Sequence, residues 1–187
     1  MKPHRIFFDT EFTGLGIQNP QLISIGLIDQ PGTGEFYAEV QLTQELRAGC
    51  HPWVRQHVLP RLEGGVVAMP KAEISRRLYD WLCALAPNRH LVLITDSPIV
   101  DAPYVHELLK ETGYPPNMDR HIRPMKMPSP AGWQRYHSAL ERAQKAAAYR
   151  AHHALDDARA NRAAWIAGHR NDALAASDGS TFTPPEN

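Results

Sequence analysis

Two carboxylates one residue apart close an apolar run near the start of the chain, Arg5-Ile-Phe-Phe-Asp-Thr-Glu-Phe-Thr-Gly14. Side chains alternate between the faces of a strand, so Asp9 and Glu11 point one way and Thr10 the other. Like charges that close repel, and a shared divalent cation is the usual means by which both stay ionised. A second acidic element lies in Thr95-Asp-Ser-Pro-Ile-Val-Asp-Ala-Pro-Tyr-Val105. Asp96 sits just past a strand, where it can shape a turn. Asp101 precedes the apolar series Val105, Leu108 and Leu109 and so faces back over the sheet, a position that would serve a helix cap equally well. Asp101 is the preferred ligand of the two. A third element, Ala151-His-His-Ala-Leu-Asp-Asp-Ala158, adds His152, His153, Asp156 and Asp157. Inside one helix His152 and Asp157 would stand about 140° apart around the axis, so joint action requires His152 to sit in the loop before it. An imidazole with an ordinary pKa of about 6.5 can take a proton from water near neutral pH. His153, one residue nearer to Asp157, is the alternative base. Singly, such acids also complement a helix dipole, and such histidines also stand on surfaces.

The elements that must position these groups follow from apolar periodicity. Ile6, Phe7 and Phe8 read as a buried strand, and Gly14 and Gly16 permit the turn after it. A second buried strand lies within Gln21 to Asp29, Pro31 to Gly34 turn the chain, and Glu35 to Val40 complete an antiparallel meander of three. A short helix is expected around Pro52 to Leu59, stopped at Pro60. A longer one runs from Lys71 to Ala86, with Ile74, Leu78, Trp81, Leu82 and Leu85 on one stripe between Pro70 and Pro87. Leu91 to Thr95 give a fourth buried strand, followed by a helix near Asp101 to Thr112 and an irregular Pro-rich loop from Gly113 to Gly132. Helices over Gly132 to Arg150 and Asp156 to Gly168 close an α/β domain with a mixed sheet.

A chain of 187 residues can build one sizeable core. One domain over 1–170 is expected, with a polar tail over 171–187 too poor in apolar residues to pack firmly. No apolar run is long enough to span a membrane, and the opening Met-Lys-Pro-His-Arg runs straight into a strand rather than a signal sequence. The isolated Cys50 and Cys83 suggest neither a disulfide framework nor a metal knuckle, and a cytoplasmic protein is expected. The net charge of zero argues against an all-over attraction for nucleic acid. The stretch from Arg120 to Arg170 is nonetheless rich in arginine and lysine. It could meet a polyanion, or simply solvate the faces of alanine-rich helices.

Phe8-Asp-Thr-Glu-Phe12, Leu22-Ile-Ser-Ile-Gly26 and His152-His-Ala-Leu-Asp-Asp-Ala158, with Asp101 between, resemble the DEDDh (DnaQ-like) group of 3′-to-5′ exonucleases, whose domain is ribonuclease-H-like. The resemblance covers the chain from about Arg5 to Gly168. It departs from the group's pattern at Asp96, where an asparagine is common. Glu35-Phe-Tyr-Ala, Arg47-Ala-Gly and Trp53-Val-Arg-Gln-His-Val-Leu-Pro60 look like the small stand-alone exoribonucleases of the polyadenylate-specific type.

Carried onto this chain, the resemblance implies Asp9, Glu11, Asp101 and Asp157 as metal ligands and His152 as general base, in a 3′-to-5′ exonuclease that releases nucleoside monophosphates. It implies two Mg²⁺ or Mn²⁺ ions, since a pair about 3.5 to 4 Å apart can steady the attacking and leaving oxygens together. Single-stranded nucleic acid would be the substrate, RNA in preference to DNA, with Phe12 and Tyr104 as stacking candidates and Glu11 near the terminal ribose. Core packing is the competing reading of Tyr104. A homodimer is implied by similar enzymes. The alternatives are the same chemistry on DNA and a nucleic-acid-binding domain without hydrolysis. The adjacent His152 and His153 do not offer the spaced ligand set of a zinc enzyme.

Overall fold

In the computed structural model, which describes residues 2–170, the run before the acid pair forms β1 (His4–Phe12). β2 (Leu22–Asp29) pairs with it antiparallel, and β3 (Glu35–Val40) pairs antiparallel with β2, giving the expected meander. β4 (Ala68–Met69) extends β3 in parallel. On the other side of β1 lie β5 (Leu91–Thr95) and then β6 (Arg123–Pro124), both parallel. The sheet order is therefore β4-β3-β2-β1-β5-β6. The segment 171–187, expected as a tail, lies outside the described residues.

Alternation along β1 divides the core in two. Ile6 and Phe8 pack with Leu27, Leu78, Leu82, Val105 and Leu108, beneath α3 (Lys71–Leu85) and α4 (Pro98–Thr112). Phe7 points to the other face and packs with Ile94, Tyr136 and Trp165, beneath α5 (Pro130–Gln144) and α6 (Ala154–Gly168). Each of these buried side chains contributes on the order of 1.5–3 kcal/mol of burial free energy. Asp9 and Glu11 share the parity of Phe7 and so emerge on the α5–α6 side.

Element bounds shift where the site is built. α4 starts at Pro98, with proline at its first position, so Asp101 stands in its first turn. α5 ends at Gln144 instead of Arg150, because the chain leaves the helix through short turns and is anchored by Arg150, whose guanidinium meets Asp156 at 2.7 Å and Glu63 at 2.8 Å. α6 starts at Ala154, two residues earlier than expected, with His153 at the N-cap position and no side-chain cap. The Pro-rich loop contains β6, and α1 (Gln44–Gly49) precedes α2 (Pro52–His57) with a Thr43 side-chain cap.

Candidate active site

Asp9, Glu11, Asp101, His152 and Asp157 line one open cleft of about 650 Å³ at the carboxyl end of β1. Two sets of groups converge in it. Ligand atoms of Glu11, His152 and Asp157 lie within 4.8 Å of one another, and so do those of Asp9, Asp96 and Asp101.

The carboxyls come from several elements, Asp9 and Glu11 from β1, Asp101 from α4 and Asp157 from α6. Asp101 is buried, and its two oxygens accept from Thr10 Oγ1 and Thr95 Oγ1, both at 2.6 Å. Thr10 points away from Asp9 and Glu11, and the first turn of α4 meets it there. Asp157 Oδ2 accepts the His152 backbone N–H at 3.1 Å, and its Oδ1 accepts the Tyr149 hydroxyl. Asp96 stands two residues past Ile94, just as Asp9 stands two past Phe7, and Ile94 pairs with Phe7. Asp96 therefore reaches the cleft beside Asp101, so both acids of the second element line it.

The cleft concentrates negative charge where water is scarce. The Glu11 pKa is pushed up to about 8, chiefly by burial and then by Asp157 and Asp101. Asp9 is raised well above the usual carboxylate range by burial, then by Asp101 and Glu11. The Asp157 pKa rises to about 6 through burial, against the lowering effect of the Tyr149 and His152 donors. Burial also raises Asp101, which its two threonine donors partly offset. Among the described residues no lysine or arginine lines the cleft to balance these groups. A mainly oxygen donor set with unrelieved repulsion fits hard divalent cations.

The adjacent histidines part company. His152 lies in the loop before α6 with φ +62, lines the cleft, and packs perpendicular to the Trp53 ring, centroids 4.7 Å apart. Its pKa is lowered by burial and then by His57 and Arg61. His153 is buried on the other side of the backbone, stacked on Tyr37 at 4.4 Å, with Nε2 3.2 Å from Glu63. It does not line the cleft.

Phe12 lines the cleft and stacks on Tyr104, ring centroids 5.3 Å apart. Tyr104 is buried in the core and borders the neighbouring hollow, with Leu15 and Ile99. Much of the basic stretch is consumed structurally. Arg159 pairs with Glu35 and Asp156, Lys145 with Glu141, and Arg162 donates to the Asp29 and Gln30 carbonyls. Tyr149, Gln144 and Asn161 also line the cleft, and nothing in their sequence spacing singled them out.

A family model described as the 3′-5′ exoribonuclease Rv2179c-like domain matches residues 4–168. No curated protein matches the chain. Among solved structures, the nuclease domain of 3′hExo, a DEDDh family member bound to rAMP, is 15% identical with a TM-score of 0.56, over 87% of this chain and 90% of that one. E. coli exonuclease I in complex with a dT13 oligonucleotide is 13% identical with a TM-score of 0.55, over 94% of this chain. A 3′-exonuclease that recognises the 3′ end of the histone mRNA stem-loop is 12% identical with a TM-score of 0.52, over 88% of this chain and 63% of that one. The chain spans 43% of the length of exonuclease I. These likenesses show the DEDDh exonuclease fold, a ribonuclease-H-like mixed sheet flanked by helices.

Proposed function

We propose, for a chain that belongs to the Rv2179c-like family of 3′-5′ exoribonuclease domains, that it degrades single-stranded RNA from the 3′ end to nucleoside monophosphates. Asp9, Glu11, Asp101 and Asp157 hold two divalent cations, Mg²⁺ or Mn²⁺, and His152 is the general base. The observation that carries this is the convergence of those five side chains, from four separate elements, on one cleft. Bound there, the cations neutralise the carboxylates and stabilise the charge that develops on the phosphodiester oxygens.

The chain's own groups do the rest. Thr10 and Thr95 orient Asp101, while Tyr149 and the His152 N–H orient Asp157. The His152 imidazole accepts the proton of the attacking water, and its lowered pKa keeps it neutral and ready at pH 7. Phe12 offers an aromatic face to the terminal base, and Tyr104 supports it from behind. Glu11 lies where it can also meet the terminal ribose, which would favour RNA. Residues 1–170 form the exonuclease domain. We assign the protein to the cytoplasm, in keeping with two free cysteines, and to a homodimer, in keeping with the small enzymes it resembles.

Matched end-labelled RNA and DNA oligonucleotides, incubated with Mg²⁺ or Mn²⁺, test the reading. RNA should shorten from its 3′ end with mononucleotide release, and Asp9→Ala should abolish this while leaving the protein folded. Equal or faster loss of DNA would transfer the activity to DNA. Binding without metal-stimulated cleavage would leave a non-hydrolytic domain.

A further inference from the structure

The α5–α6 side of the sheet carries a second cavity whose charge is opposite to that of the cleft. About 430 Å³ in volume, it is bordered by Arg5, His121, Arg123, Lys126 and His169 around Trp165, and among the described residues no carboxylate lines it. In a chain of zero net charge this is a local excess, the counterpart of the acids gathered at the carboxyl end of β1. It is also built. The Arg5 guanidinium lies 5.3 Å from the centre of the Trp165 ring, and the His169 ring stacks on the same indole at 3.8 Å. His121, Arg123 and Lys126 rise on the exposed side of the strand edge. Arg123 shares Asp119, and Lys126 has no ion-pair partner among the described residues. Arg135, Lys145, Arg150, Arg159 and Arg162 are tied to acids or carbonyls elsewhere, whereas Arg5, Arg123 and Lys126 border this one cavity.

We propose that this cavity binds the phosphate groups of a ribonucleotide. The choice of phosphate over other anions rests on the exoribonuclease reading. Phe7 and the C-terminal half of α6 separate the cavity from the cleft. Arg5 and Asp9 are four residues apart on one strand, about 13 Å at the usual rise per residue. A single strand with its 3′ end in the cleft can reach the cavity only after passing around the helices, so binding of a strand would depend on its length. Binding of a mononucleotide would not. Arg5 and His169 already pack on the Trp165 ring, so recognition would read phosphate rather than base.

The test is fluorescence anisotropy of labelled oligoribonucleotides of 6 and 24 nucleotides in EDTA, with calorimetric titration of AMP in parallel. The wild-type full chain is compared with Arg123→Gln plus Lys126→Gln, and with Arg142→Glu as an exposed base outside the cavity. If the strand is the ligand, the double variant binds the 24-mer several-fold more weakly but not the 6-mer, and the salt slope falls by about 0.7 for each phosphate no longer neutralised. If the mononucleotide is the ligand, AMP binding weakens and the two oligomers are affected alike. Unchanged affinity for all three, or an equal loss in Arg142→Glu, overturns the proposal. Cleavage of the 24-mer by wild type with Mg²⁺ is followed alongside. Its absence would count against the exoribonuclease reading, whereas cleavage with unaltered variant binding would sink the cavity alone.

Discussion

Asp9 stands directly across the β1–β2 ladder from Gly26, and that glycine lets α6 descend onto the sheet. A Cβ at Gly26 would come within 2.2 Å of the Leu155 backbone nitrogen and 2.5 Å of the Ala154 carbonyl carbon. The first turn of α6 carries Asp157, so the missing side chain on β2 sets how near Asp157 comes to the acids of β1. Gly26→Ala is expected to push the helix away at a cost of about 1–3 kcal/mol or more. That corresponds to a fall in Tm of about 2–4 °C per kcal/mol for a chain of this size. Cleavage should fall further than the residual folded fraction explains. Thermal melts and single-turnover rates measured below the transition check this, and an unaltered rate would show that the α6 position is not critical.

Asp101 depends on two hydroxyls. Thr10→Val and Thr95→Val each remove a 2.6 Å donor from a buried carboxylate while keeping the side-chain shape. A hydrogen bond to a charged group is worth about 1.5–3 kcal/mol, so each substitution should cost roughly ten- to a hundredfold in cleavage rate. The donors favour the ionised form, so their loss raises the Asp101 pKa further and moves the acid limb of the activity profile to higher pH. A pH–rate series on both variants reads this shift. An acid limb that stays in place would separate Asp101 from the limiting ionisation.

The raised carboxyls have a stability consequence in metal-free protein. Glu11 titrates near 8 and Asp157 near 6 in the fold, both above their unfolded values. Between the unfolded and folded values the native state holds more protons than the unfolded chain, so metal-free stability is full below about pH 4, declines as pH rises and levels off above about 8. Cation binding needs the ionised groups and displaces the protons. Melts in EDTA should therefore drop in Tm from pH 5.5 to 8.5, and the increment produced by Mg²⁺ or Mn²⁺ should widen over the same range. A metal increment that does not depend on pH would contradict the assignment of these carboxyls as ligands.

His152 and His153 should behave differently when changed. His152→Ala is expected to lose about 10²–10⁴ in rate with stability near wild type. His153→Ala, which removes a buried ring stacked on Tyr37, should act through stability. His152 is lowered by burial, then by His57 and Arg61. Arg61→Gln removes a nearby positive charge, so it should raise the His152 pKa and carry its limb of kcat/KM toward higher pH. A larger rate loss in His153→Ala, with His152→Ala unaffected, would reassign the base.

Much of the candidate site was legible in the sequence because the acids that line the cleft sit at fixed parities and helix starts. Asp9 and Glu11 share a strand face whatever the tertiary context, and the geometry of a helix places His152 before α6 if it is to act with Asp157. The meander and β5 were equally plain, since β2 and β5 are buried along their whole length. What escaped depends on how distant segments meet. Asp96 and Asp101 enter the cleft by two separate contacts, the β1–β5 register for Asp96 and the seating of the first turn of α4 on Thr10 and Thr95 for Asp101. The end of α5 was set too late because its alanine-rich continuation has good helix propensity, yet the Arg150 pairs with Asp156 and Glu63 draw the chain off the helix. The direction of His153 likewise follows from the fold of the turn, which adjacent residues of one type cannot reveal.

That turn makes the last prediction. Tyr149 comes from the segment that a longer α5 would have kept helical, and its hydroxyl donates to Asp157 Oδ1 while the His152 N–H holds Oδ2. Burial and the neighbouring carboxylate push the Tyr149 pKa up, so it stays a donor across the working range. Tyr149→Phe removes one of two groups that favour the Asp157 carboxylate, so Asp157 should titrate above 6 and compete less well for a cation at neutral pH. A loss of about 1.5–3 kcal/mol in the interactions of the ionised carboxylate should raise the Mg²⁺ or Mn²⁺ concentration for half-maximal cleavage by roughly tenfold or more. Raising pH should recover much of the difference, because the defect lies in proton competition. If Tyr149 instead touches the RNA, the variant will show a higher KM for RNA with an unaltered metal requirement, and pH will not rescue it.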